Sequence, residues 1–219
     1  MLRVSIIICS LLVSAGTQAQ QIFTTEQHTV RAVTLLSGLK HPWALAFLPD
    51  GRLLITERSG TLRLVEADMM ASQPVKGLPT VAEHGQGGLL DVTLHPNYAE
   101  NGWIYWTYNA GVFGSYGTEL ARGKLPPDSP HMRNVEVLFK MQPKYATGFH
   151  FGSRIVFDRH GYLYVTLGDR GDSPQRVFHH YAQQLNTHAG KSIRLMDDGR
   201  IPPDNPFVKA HDALPEIFT

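Results

Sequence analysis

A hairpin that occurs three times constrains the fold of this chain more than any other feature. Segments 43–56, 90–107 and 154–166 each run from an apolar alternating strand through a turn into a second strand that ends in threonine. In every copy a turn glycine stands five residues before that threonine: Gly51 and Thr56, Gly102 and Thr107, Gly161 and Thr166. Such patterns predict β-hairpins, and their return roughly every fifty residues is typical of the four-stranded blades of a β-propeller. A β-sandwich with a chance run of hairpins is the alternative.

The other segments favour an all-β fold. Further strands are predicted at 30–36, 61–65, 120–125, 135–139 and 192–195. The roughly 200 residues after the N-terminal leader provide about three to four blades, whereas closed propellers have four to eight. Segment 205–219 resembles the opening of another unit. We therefore expect residues 20–219 to form an incomplete propeller that is truncated at its C-terminus.

The first residues are predicted to be a signal peptide. Arg3 supplies the positive start, 4–13 is apolar, and small residues lead to Ala19, after which we expect cleavage. The apolar run is too short to span a bilayer comfortably, so no membrane span is predicted. Removal of residues 1–19 also removes Cys9, the single cysteine. An exported chain without disulfides is typical of the bacterial periplasm.

Charge and motif content disfavour several classes of function. The chain has 20 Lys and Arg residues against 19 Asp and Glu residues, with no basic stripe, so nothing favours nucleic-acid binding. Zinc-protease, paired-cysteine and nucleophile-elbow motifs are absent. His84 and the pair His179 and His180 lack metal-ligand spacing and are predicted to lie at the surface. We assign no metal ligand.

One histidine has the surroundings of a catalytic base. His150 lies between aromatic residues and glycines just before the third repeat, and Asp169 follows nineteen residues later at the end of the next strand. Two strands joined by a turn allow both residues to meet at one rim of a sheet. An imidazole beside a carboxylate is a ready general base near neutral pH. The alternative is a histidine that caps a strand and an aspartate that closes a turn.

Two other positions are candidates for ligand contacts. Gln86 stands among Gly85, Gly87 and Gly88, where small residues let backbone approach a ligand and the amide can donate and accept. A glycine-rich turn between blades is the alternative. Arg154 carries the fork that binds anionic groups, or else it is a solvated or ion-paired strand residue.

Six motifs occur in an order that resembles a known family. They lie at 41–47, 85–92, 149–154, 167–169, 190–195 and 201–207. Together they are similar to the soluble pyrroloquinoline quinone (PQQ)-dependent aldose sugar dehydrogenases, which are related to the soluble PQQ glucose dehydrogenases. The resemblance extends from His41 to Phe207, nearly the whole chain after the leader.

This resemblance implies a fold, a reaction and a cofactor. The fold is a six-bladed propeller that binds PQQ on one face, with calcium beneath the quinone. His150 would take the proton from the anomeric hydroxyl of an aldose while hydride passes to PQQ, and Asp169 would steady the imidazolium. Gln86 would contact PQQ, and Arg154 would hold an anionic group of the cofactor. An external electron acceptor completes the expected set of partners.

The sequence also departs from this family. The later blades of the family carry an Arg-Asn-Pro-Gln-Gly-type segment, basic residues for the PQQ carboxylates and the calcium ligands, none of which this chain contains. We therefore expect the chain alone to be inactive and to hold neither PQQ nor calcium tightly. Two other classes stay open. One is a propeller that only binds carbohydrate or protein, and the other is a lactonase-type hydrolase, whose calcium would need an Asp, Asn and Glu ring that the inner strands do not offer.

Overall fold

The computed structural model describes residues 21–171 and 180–219. The predicted signal peptide and His179 lie outside the described residues and stay predictions. The chain divides into two compact units, Met1–Ser37 and Gly38–Thr219. The described part of the first unit is an antiparallel hairpin of β1 (Gln21–Thr24) and β2 (Thr29–Ala32). The strand predicted at 30–36 therefore ends early, at Ala32.

The second unit contains three antiparallel sheets, and the strands of each follow one another in chain order. Blade 1 contains β3 (Pro42–Phe47), β4 (Leu53–Glu57), β5 (Thr61–Val65) and β6 (Ser72–Val75). Blade 2 contains β7 (Leu89–Leu94), β8 (Trp103–Val112), β9 (Ser115–Lys124) and β10 (Arg133–Lys140). Blade 3 contains β11 (Gly152–Phe157), β12 (Leu163–Leu167) and β13 (Lys191–Leu195). The predicted all-β class and the hairpin repeat are confirmed.

Helical structure is confined to short turns in the described residues. These are one α-helical turn, α1 (Tyr98–Asn101), and a 3₁₀ turn at Tyr181–Gln183. Across the described ranges no helix has the length and apolar character to cross a membrane.

The end of the chain completes blade 3. The amide of Ser192 donates to the carbonyl of Thr219 (2.6 Å), and the amide of Phe218 donates to the carbonyl of Ser192 (2.8 Å). Segment 216–219 thus lies along β13 in the position of a fourth strand. The prediction that 205–219 opens another unit was wrong, because its last residues pair with the preceding blade instead.

A buried asparagine turns the chain back to make this pairing. Asn205 is 3% exposed. Its Nδ2 donates to the carbonyls of Arg194 (3.0 Å) and Pro215 (2.8 Å), and its Oδ1 accepts from Nε of Arg194 (2.6 Å). One amide therefore closes the loop between β13 and the final segment, a contact that no local sequence pattern reveals.

Left-handed backbone explains the glycine of each repeat. The φ angle is +86° at Gly51, +68° at Gly102 and +84° at Gly161. This conformation costs a residue with a Cβ roughly 1–2 kcal/mol. Gly51 and Gly161 lie in hairpin turns, whereas Gly102 ends α1. The periodic glycine is therefore a backbone requirement.

The repeat threonines join successive blades. The hydroxyl of Thr56 in β4 donates to the carbonyl of Leu90 in β7 (2.6 Å), and the hydroxyl of Thr107 in β8 donates to the carbonyl of Ser153 in β11 (2.9 Å). Each hydroxyl also accepts an amide proton from the first strand of its own blade. Thr166 accepts the equivalent bond in blade 3. Thr56 and Thr107 therefore each connect three strands, whereas Thr166 connects two.

Blade 2 is packed on both faces. Trp106 of β8 is fully buried in a cluster that includes Leu54 of blade 1, whereas its neighbour Tyr105 is buried in a second cluster with Val165 of blade 3. Successive residues of a strand point to opposite faces. The uninterrupted apolar start of β8 thus serves two cores, each of which holds one neighbouring blade in place.

Candidate active site

His150 and Asp169 meet at the rim where β11 begins and β12 ends. Gly152 pairs with Leu167 in the antiparallel register, which sets the residues before β11 beside those after β12. Nδ1 of His150 lies 2.6 Å from Oδ1 of Asp169. The side chains are 55% and 38% exposed, so a solute can reach the pair. The structure thus brings together the two residues that the sequence singles out as a base and its partner.

Glycine at position 168 permits this approach. A Cβ on Gly168 would lie 2.0 Å from the carbonyl oxygen of His150, closer than any real contact. His150 itself has a φ of +49°, which is uncommon for a residue with a side chain. The Leu-Gly-Asp sequence therefore lets the aspartate strand pass directly against the backbone that carries the imidazole.

The electrostatics of the pair favour an ionised carboxylate. Partial burial acts to raise the pKa of Asp169, but hydrogen bonds from His150 and from the amide of Gly171 (3.0 Å) outweigh it and lower that pKa below its usual value. An ionised carboxylate accepts a hydrogen bond from Nδ1–H, so the neutral imidazole has its proton on Nδ1 and its lone pair on Nε2. A base with this tautomer can take a proton from a bound hydroxyl.

Gln86 holds the backbone of the histidine. Its side-chain Oε1 accepts the backbone amide proton of His150 (2.9 Å), and its backbone N–H donates to the carbonyl of Gly148 (2.8 Å). The side chain of Gln86 is exposed at the same rim. The loop before β7 in blade 2 thus fixes the loop before β11 in blade 3, and the structure joins all three of these predicted residues.

The glycines around Gln86 serve packing between blades. A Cβ on Gly85 would lie 2.3 Å from the carbonyl oxygen of Gly148, and one on Gly88 would lie 1.8 Å from that of Arg58. These approaches are between protein backbones rather than towards open space. The interpretation as a tight turn between blades, left open by the sequence, accounts for the glycines.

Arg154 of β11 is the ion-pair partner of Asp91 in β7. Its Nη1 lies 2.6 Å from Oδ1 of Asp91, and the other carboxylate oxygen of Asp91 accepts the amide proton of Ile155 (2.7 Å). The Arg154 side chain remains 58% exposed, with its guanidinium carbon 5.0 Å from the ring centre of Trp43. Both residues line a recess of about 460 Å³. Arg154 therefore keeps free donors beside an aromatic ring, although it does not contact His150.

Two buried charges near the site were missed by the sequence reasoning. Asp91 is 2% exposed and Arg170 is 1% exposed. Burial raises the pKa of Asp91, against the lowering effect of the Ile155 amide and Arg154. A charged residue inside the apolar run Leu90-Asp91-Val92 was the available signal for the first. For Arg170 the signal was only its place after Asp169.

The described residues offer no group of three or more His, Cys, Asp and Glu side chains that could hold a metal ion. His84 stacks on Tyr116 with ring centres 4.2 Å apart, and its Nε2 lies 3.3 Å from the carbonyl oxygen of Ala146. His180 is exposed.

Comparison with known proteins places this geometry in context. The family model for glucose/sorbosone dehydrogenase matches residues 39–219. Aldose sugar dehydrogenase YliI of Escherichia coli K12 is 44% identical over 193 residues, covering 87% of this chain and 50% of that protein. The apo crystal structure of the soluble aldose sugar dehydrogenase from Escherichia coli has a TM-score of 0.75 at 43% identity, over 82% of this chain and 50% of that one.

A further solved relative contains the cofactor. The PQQ-bound form of aldose sugar dehydrogenase from Streptomyces coelicolor has a TM-score of 0.68 at 29% identity, over 80% of this chain and 50% of that one. The chain spans about half the length of the relatives that it matches. These matches confirm the resemblance drawn from the six motifs and the incomplete propeller.

Proposed function

Because the chain belongs to the glucose/sorbosone dehydrogenase family, we propose that it is the base-bearing part of a PQQ-dependent aldose sugar dehydrogenase. One observation carries the proposal. His150 donates through Nδ1 to Asp169 and is held through its amide by Gln86, so that Nε2 is the ring nitrogen left to act on a substrate.

In the proposed reaction an aldose loses two electrons and two protons at C1 and becomes a lactone. Nε2 of His150 takes the proton of the anomeric hydroxyl as the C–H bond breaks, and Asp169 stabilises the imidazolium that forms. PQQ, when bound, supplies the electrophile that accepts the hydride. A base of this kind contributes about 10²- to 10⁴-fold to the rate.

Two side chains of this chain, Arg154 and Gln86, fit the anionic and carbonyl oxygens of PQQ. Arg154 has free guanidinium donors for an anionic group, and the exposed amide of Gln86 can donate to a quinone or carboxylate oxygen. PQQ has three carboxylates, and among the candidate site residues Arg154 is the one arginine that is exposed to meet them. The described residues do not fit calcium, because they lack a carboxylate cluster. We therefore assign no step to calcium.

The remaining parts of the proposal rest on the family resemblance and on the predicted leader. The substrate is an aldose sugar, electrons pass from the cofactor to an external acceptor, and the predicted signal peptide directs the protein to the periplasm. The 219-residue chain alone is proposed to be inactive, since it spans about half of its relatives.

The test joins this chain to the C-terminal half of the Escherichia coli relative and measures dye-linked sugar oxidation with PQQ and calcium. We expect the chimera to oxidise aldoses, and its His150→Ala variant to lose about 10²- to 10⁴-fold in kcat while it still binds PQQ. Unchanged turnover in the variant would reject the base and favour a propeller that only binds carbohydrate or protein. His211→Ala is the matched control, since that side chain is 98% exposed and pairs with its neighbour Asp212.

A further inference from the structure

Arg170 is a buried positive charge that directly follows Asp169 in the chain. Arg170 is 1% exposed, and its guanidinium carbon lies 3.6 Å from the ring centre of Phe151. Burial lowers the pKa of Arg170 to about 10, so the side chain stays charged at neutral pH. A cation–π contact is stronger when the cation is desolvated, as it is here.

Arg170 and Thr147 exchange hydrogen bonds across the two loops of the site. Nη2 of Arg170 donates to the carbonyl of Thr147 (2.6 Å), and the hydroxyl of Thr147 donates to the carbonyl of Arg170 (2.6 Å). His150 lies three residues after Thr147, and Asp169 directly precedes Arg170. The clamp thus joins the loop that carries the imidazole to the loop that carries its carboxylate.

A stabilising role alone does not account for this arginine. Within the described ranges, its Nε and Nη1 are buried and have no hydrogen-bond partner, and buried donors without partners are costly. Arg194 provides the contrast, since its guanidinium pairs with Asp204 (2.8 Å) and Asn205 (2.6 Å). Costly polar groups of this kind concentrate at functional sites.

We propose that Arg170 is a positioning residue that keeps the Asp169 carboxylate charged and against Nδ1 of His150, so that Nε2 remains the free ring nitrogen. The positive charge favours the anionic carboxylate, and the clamp fixes the spacing of the loops. The inference rests on the proposed function only in naming Nε2 as the proton acceptor. The geometry it concerns belongs to the 219-residue chain.

The experiment is NMR of the 219-residue chain with ¹⁵N-labelled histidine and ¹³C-labelled aspartate. In the parent chain we expect the Nδ1–H tautomer of His150 and a protected Nδ1 proton. Arg170→Met keeps the apolar stem over Phe151 and removes the charge. We expect it to lose the protected proton, to mix the two tautomers and to raise the pKa of Asp169 towards that of an ordinary aspartate.

Two further variants separate the effect of the charge from that of the loop spacing, and a third variant is the control. Arg170→Lys should retain the Asp169 titration but lose part of the tautomer preference, and Thr147→Val should do the same. Arg194→Met removes a different buried arginine and should leave both signals unchanged. If Arg170→Met does not fold, the Lys and Val variants decide the matter.

The possible outcomes distinguish the two proposals. A parent chain without the Nδ1–H tautomer overturns the proposed base and, with it, the role of Arg170. If the parent chain has that tautomer, and the folded Arg170 variants and Thr147→Val keep both signals, only the role of Arg170 is overturned.

Discussion

The hydroxyl of Thr107 in blade 2 donates a 2.9 Å hydrogen bond to the carbonyl of Ser153 in blade 3, three residues after His150. The same oxygen accepts the amide proton of Asp91 (3.0 Å), whose carboxylate reaches on to Arg154. The repeat threonine, recognised in the sequence as a marker of periodicity, is therefore also part of the support of the candidate site.

Replacement of Thr107 by valine should destabilise the chain. The change leaves the buried amide of Asp91 and the carbonyl of Ser153 without partners, at a cost of about 1–3 kcal/mol each. Urea unfolding of the two proteins measures the difference. Thr166→Val is the control. The hydroxyl of Thr166 accepts one hydrogen bond, from the exposed amide of Arg154, so this substitution should lower the free energy of unfolding less. Equal losses in the two variants would contradict the linking role of Thr107.

Gly168→Ala should displace the His150 loop. The new Cβ would collide with the carbonyl oxygen of His150, and such overpacking costs about 1–3 kcal/mol or more. At this chain length each kcal/mol lowers Tm by about 2–4 °C. Gly114→Ala is the control, since its new Cβ meets nothing within 4 Å and only the φ of +79° opposes it, so it should cost less. A Gly168→Ala chain with parental Tm would show that the approach is not tight.

Asp169→Asn in the chimera should reduce kcat with little change in PQQ affinity. The amide cannot stabilise an imidazolium as a carboxylate does, and its own N–H competes for Nδ1, so the wrong tautomer is populated. We expect a loss of about 10²- to 10⁴-fold. Asp158→Asn, at the hairpin turn of blade 3, should leave kcat unchanged. Retained activity in Asp169→Asn would remove the carboxylate from the mechanism.

Acid should destabilise the chain through its turn aspartates. Slight burial of Asp158 would raise its pKa, but the amides of His160 and Tyr162 donate to the carboxylate, and its pKa falls below the usual 3.8. A group whose pKa is lower when folded stabilises the protein above its unfolded pKa and loses that contribution as pH falls. The urea concentration at the unfolding midpoint, measured between about pH 6 and pH 2.5, should therefore decrease once the pH falls below about 4. Asp158→Asn should show a weaker drop, and identical curves would contradict this assignment.

The 219-residue chain should bind PQQ weakly and calcium not at all at its candidate site. One exposed arginine faces a ligand with three carboxylates, and the described residues lack a calcium cluster. Fluorescence titration with PQQ, with and without calcium, measures both. Arg154→Gln should weaken the residual PQQ binding. Tight binding, or sugar turnover by the chain alone, would refute the expectation.

Local sequence patterns determined the hairpins, the blade repeat and the pairing of His150 with Asp169. Each of these depends on alternation, on left-handed turn glycines or on two strands that are consecutive in the chain, and such interactions are short-range. The family motifs added the chemistry that these residues could perform.

The tertiary structure alone decided how the site is held. Gln86 reaches His150 across 64 residues, and Asp91 reaches Arg154 across 63. Neither contact has a periodic signature, because both depend on how one blade packs against the next. The burial of Arg170 and the return of 216–219 to β13 belong to the same class. A single sequence specifies which groups a strand offers, but their partners are chosen by packing between sheets.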